Sequence, residues 1–100
     1  MITFDDARHR VELEFPRSDY AGHFPSMEPF VASVDGAEDG QSFLIRSEKP
    51  ALDAAGMPAM DVPVIFVEKS SGMVTFEPVI LNFKRLDKMT PVHSTEVPTS

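Results

Sequence analysis

The side chains able to do chemistry in this 100-residue chain are His9, His23 and His93, the adjacent Ser70 and Ser71, and the carboxylate pairs Asp5-Asp6 and Glu38-Asp39. A metal centre or a general base needs partners at set spacings. None of the three histidines has a second histidine or a carboxylate at a known ligand spacing, so they read as surface residues. Ser70 and Ser71 lack the flanking glycines of a strand-to-helix nucleophile elbow and have no evident base, which leaves them the role of turn formers. Asp5-Asp6 fits a helix cap, and Glu38-Asp39 a solvated turn, without general acid–base work. The segment 35–40, Asp-Gly-Ala-Glu-Asp-Gly, offers several oxygens near glycines. It lacks the alternating ligands and terminal glutamate of a calcium loop. Cysteine is absent, which removes thiolate chemistry and Cys-ligated metals together. The expectation is a chain that is not an enzyme and holds no cofactor or metal.

What remains is binding. Nine basic residues stand against 16 acidic ones, a net charge of −7, which opposes a phosphate backbone and so argues against nucleic acid. Up to Pro50 the count is 10 acidic and 5 basic, so most of the excess is N-terminal. Such a balance either solubilises or presents an acidic face to a basic partner. On the second reading the candidate partner-binding residues are Glu28, Asp35, Glu38 and Asp39. Met57 and Met60, in an irregular stretch between Ser47 and Met60, would add a pliable apolar contact. No basic leader followed by an apolar run opens the chain, and nowhere do about 18 apolar residues run uninterrupted. The expected location is the cytoplasm, with no membrane partner.

The elements that must position these groups follow from periodicity. Thr3 with Asp6 resembles a capping box, and Phe4, Ala7, Val11 and Phe15 make one apolar helical stripe that Pro16 ends. Phe30 to Val34 and Gln41 to Arg46 read as strands joined by the 35–40 turn, in which Gly36 and Gly40 could supply positive φ. A short helical turn fits Leu52 to Ala55. Val62 to Val67 and Met73 to Phe76, joined through Gly72, read as a hairpin whose first strand is apolar on both faces and therefore central. Pro78 starts a second helix with Val79, Phe83 and Leu86 on one side, and Pro91 stops it. This order predicts one α+β domain over residues 1–89. It would be a two-layer sandwich with an antiparallel sheet of about four strands and both helices on one face. Residues 90–100 carry little to bury and are expected to be a disordered tail. An uncovered edge at Phe30 to Val34 would allow a homodimer.

Ile2-Thr3-Phe4-Asp5-Asp6-Ala7 and Val64-Ile65-Phe66-Val67-Glu68-Lys69-Ser70-Ser71-Gly72-Met73-Val74, followed by a helix to Met89, resemble the YrhB-like family of small bacterial proteins. That family includes predicted immunity proteins of polymorphic toxin systems, of the immunity protein thirty-five type. The likeness covers Ile2 to Phe15 and Val62 to Met89. Glu68 stands where the family usually has Asp, and Met73 where it usually has Glu. The resemblance implies a non-enzymatic α+β domain that binds and neutralises a cognate toxin, for which a basic surface would suit, or one that acts as a small chaperone-like or adaptor protein.

Overall fold

A computed structural model of the chain describes residues 1–52, 55–59 and 62–94. Helix α1, Phe4–Glu14, starts at a complete capping box: the Asp6 amide donates to Thr3 Oγ1 at 3.1 Å and the Thr3 amide donates to Asp6 Oδ2 at 3.1 Å. These two hydrogen bonds use amides that the first helical turn would otherwise leave unpaired. Pro16 ends the helix by turning the chain into a 3₁₀ turn at Phe15–Arg17. A single further turn, α2 at Tyr20–His23, follows.

The strands are β1 at Asp35–Glu38, β2 at Ser42–Ile45, β3 at Val64–Glu68 and β4 at Val74–Glu77. Helix α3 follows at Phe83–Asp87, and then β5 at Thr90–His93. All pairings are antiparallel and the order is β4-β3-β2-β1-β5. The chain is thus an α+β domain built on an open antiparallel sheet. It has five strands rather than about four. The fifth is the first part of the expected tail, recruited because β1 leaves a free edge that Thr90–His93 can pair with. The rest of that tail, residues 95–100, lies outside the described residues.

Alternation along the strands divides the interior. Phe43, Ile45, Ile65 and Val67 face α1 and pack with Phe4, Ala7, Val11 and Phe15. Phe15 stacks on Phe30 at 4.8 Å between ring centroids and tilts against Phe76 at 6.2 Å. Burying such side chains supplies roughly 1.5–3 kcal/mol each, so this face carries most of the fold's stability. The opposite face holds Ala37, Leu44 and Phe66, covered by Met89 and Leu86. The second helix therefore lies on the other face of the sheet from α1, not beside it. The reason is Leu44 and Phe66, a second set of large apolar side chains that also requires cover.

Two further expectations change in detail. Phe30 to Val34 is not a free strand edge, since Ala32 bridges Ser47 and the Ser33 amide donates to the Arg46 carbonyl at 2.7 Å. Instead β1 is the Asp-Gly-Ala-Glu segment that reads as a turn. Ala32 pairs with Ser47 but Ala37 pairs with Leu44, so residues 33–36 oppose only Ile45 and Arg46. The two extra residues form a bulge, the usual way to bend an antiparallel pair. Neither Gly36 nor Gly40 has positive φ. Gly36 is required by space: a Cβ there would stand 2.5 Å from the Leu44 carbonyl oxygen and 2.8 Å from the Phe4 ring. Gly72, with φ +74°, does turn the β3–β4 hairpin as its sequence predicts.

Leu52 pairs with Pro58 in an isolated bridge, and the helical turn expected over Leu52 to Ala55 lies partly outside the described residues.

Candidate protein-contact surface

Three of the four acidic candidates, Glu38, Asp39 and Asp35, are occupied by internal partners. Glu38 Oε1 accepts from Lys69 Nζ at 2.8 Å, and that ammonium also sits 4.8 Å from the centre of the Phe43 ring. Asp39 Oδ2 accepts from Arg85 Nε at 3.0 Å, while its Oδ1 accepts the amides of Gln41 and Ser42, each at 2.8 Å. Burial works against ionisation of Asp39, but these amides and the guanidinium outweigh it and hold its carboxyl below the usual value. Asp35 pairs with His93 across the β1–β5 ladder. Glu28 is exposed, precedes a cis peptide bond to Pro29, and takes Lys49 Nζ on its backbone carbonyl at 3.3 Å.

Nor do these acids share one surface. Glu38 lies on the α1 side of β1 with Phe43, Asp35 is on the opposite side, and Asp39 is in the turn. Met57 is exposed, and Met60 lies outside the described residues. His9 is exposed on α1, and His23 is exposed at the end of α2. Among the described residues no group of three or more His, Cys, Asp or Glu could hold a metal ion, and no helix is long and apolar enough to cross a membrane. Ser70 and Ser71 donate their hydroxyls to Glu68 at 3.0 and 2.8 Å, closing the hairpin turn. Those two hydroxyls, Ser71 first, lower the Glu68 pKa.

The surface that stands out is apolar. After β4 the chain makes a 3₁₀ turn at Val79–Leu81, breaks at Asn82, and resumes as α3. Buried Asn82 fixes the break: its Nδ2 donates to the Pro78 carbonyl at 2.8 Å and its amide to Val79 at 2.9 Å. The expected stripe of Val79, Phe83 and Leu86 consequently splits. Leu86 packs inward, while Ile80 is 74% exposed, Leu81 78% and Phe83 57%. Tyr20, Val62, Pro63, Pro78, Val79, Ile80 and Phe83 line a concavity of about 580 Å³ beside them. At the near edge of the sheet, β4 pairs with β3 and, among the described residues, with no other strand. Met73, just before β4, and Leu13, on α1, are also exposed.

Sequence reasoning that seeks helical stripes passes over this segment. Its signal is nevertheless present, since four of the five residues Val79-Ile80-Leu81-Asn82-Phe83 are apolar and no single helical face can bury all four.

No family model matches the chain, nor does any curated protein or solved structure.

Proposed function

We propose that the chain is a non-catalytic protein-binding domain, and that it docks its partner through the apolar segment Val79 to Phe83 and the adjoining β4 edge. The observation that carries this reading is the exposure of Ile80, Leu81 and Phe83 together, next to the outer edge of β4, with which no strand among the described residues pairs. Isolated exposed apolar residues are ordinary, whereas a contiguous set beside a concavity marks an interaction site. An aromatic and two aliphatic anchors of this kind are what the centre of a protein interface is made of.

Within that class the reading is an immunity-type inhibitor of a cognate toxin, supported by the sequence resemblance to YrhB-like proteins, whose C-terminal part spans Val62 to Met89. The pairing of Glu38 and Asp39 with internal cations makes the apolar segment, rather than the acidic residues, the better candidate for the contact. A pull-down from native cells with mass spectrometry tests it. One dominant partner, toxic when expressed without this chain, is the expected result. Many unfolded clients bound weakly would replace it with the chaperone-like reading.

A further inference from the structure

A second concavity, of about 620 Å³, lies on the sheet face away from α1. That volume is in the range of small-ligand sites, about 300–1,000 Å³. Ala37, Leu44 and Val64 form its floor, and Leu86 and Met89 close one end. That end is fixed, because Arg85 of α3 bonds Asp39 in the β1–β2 turn and lies 4.1 Å from the centre of the Phe66 ring. The other end lies where β2 finishes, and there Arg46, Ser47 and Lys49 join the lining.

What distinguishes this end of the groove is that two cations, Arg46 and Lys49, border an otherwise apolar floor. Arg8, Lys69 and Arg85 are engaged with carboxylates, and Arg17 stands 3.9 Å from Glu14. The exposed Arg46 side chain has no carboxylate partner among the described residues, and Lys49 Nζ reaches only a backbone carbonyl. In a chain of net charge −7, two cations with no carboxylate partner among the described residues thus stand at one mouth of the groove. The floor strands β1, β2 and β3 each pair on both sides, so they offer no backbone hydrogen bonds to an occupant. An extended peptide laid there would find no backbone partner in the floor and would leave its amides unpaired, which is costly away from water.

An occupant that suits these walls needs no hydrogen bonds along its length and one anionic end. We infer that this groove binds a single-chain amphipathic anion, an acyl chain whose carboxylate is held by Arg46 and Lys49 while its tail runs over Leu44 toward Leu86 and Met89. The groove shares Val62 and Pro63 with the concavity beside Ile80 to Phe83, but its floor and its cationic mouth are made by other residues.

The test titrates dodecanoate, below its micelle concentration, into the full chain, followed by calorimetry and backbone amide NMR. Saturable one-site binding is expected, with shifts at Ala37, Leu44 and Val64. The double variant Arg46→Gln/Lys49→Gln should keep its unfolding midpoint and bind dodecanoate on the order of ten-fold more weakly. Dodecanol, with the same tail and no charge, should bind wild type and double variant equally. Absence of saturable binding, undiminished affinity in the double variant, or shifts confined to residues 79–83 would each overturn the inference.

Discussion

Arg8 Nε donates to the Ser33 carbonyl at 2.9 Å, so a charged side chain on α1 holds the bulge that precedes β1. Its Nη2 donates to the Ala32 carbonyl at 3.1 Å and its Nη1 to Asp5 at 3.1 Å, and Glu12 accepts the Ala32 amide at 3.0 Å. The residue is 3% exposed. Arg8→Met would leave two carbonyls without their donors and should cost about 2–4 kcal/mol of unfolding free energy in urea titrations. Arg17→Met, which touches only an exposed pair, should change it by less than about 0.5 kcal/mol.

Gly36 and Gly40 should respond oppositely to the same substitution. At Gly36 the added methyl meets the Leu44 backbone and the Phe4 ring, whereas at Gly40 nothing lies within 4 Å. Gly36→Ala is expected to lower stability by about 2 kcal/mol or more, and Gly40→Ala to stay within about 0.5 kcal/mol. Thermal unfolding of the two variants checks both.

What the sequence made legible is local. The capping box at Thr3, the stop at Pro16, the central position of β3 and the positive φ of Gly72 follow from short-range chemistry. What it hid depends on distant partners. The Asp-Gly-Ala-Glu strand reads as a turn because its residues have low strand propensity; it becomes a strand because β5, more than fifty residues later, pairs with it. Arg8 lies off the apolar stripe of Phe4, Ala7, Val11 and Phe15, and the bulge that buries it is made by a different part of the chain. Glu38 and Asp39 look free in the sequence because Lys69 and Arg85 are far along the chain.

Gly72 carries the hairpin. Its φ of +74° strains any residue with a Cβ, and the nearest obstacle to that atom, the Arg10 guanidinium at 2.5 Å, is the end of a flexible side chain that can swing away. Backbone strain therefore decides the outcome. Gly72→Val should cost about 2 kcal/mol and Gly72→Asn about half as much, because Asn enters the left-handed region more readily. Equal unfolding midpoints for wild type and the Val variant would contradict the assigned turn.

The hydrogen bonds that Asp39 accepts from the Gln41 amide, from Arg85 and from the Ser42 amide predict a pH dependence. The Asp39 pKa is lowered in the folded chain, so its stabilisation is complete above the ordinary Asp value of 3.8 and is lost as pH falls through the folded value. The stability difference between wild type and Asp39→Asn should thus be constant near neutrality and shrink below about pH 4. A difference that grows on acidification would reverse the sign of the shift.

The central claim is that Ile80, Leu81 and Phe83 form the partner contact. The most direct measurement compares proteins captured from native cells by wild-type chain and by Ile80→Asp/Leu81→Asp, quantified by mass spectrometry. Both positions are exposed, so the double variant should unfold within about 0.5 kcal/mol of wild type. The predicted result is one stoichiometric partner bound by wild type and reduced at least about ten-fold by the variant, as expected when central apolar anchors become charged. Retention of that partner at wild-type levels by the folded double variant would contradict the account.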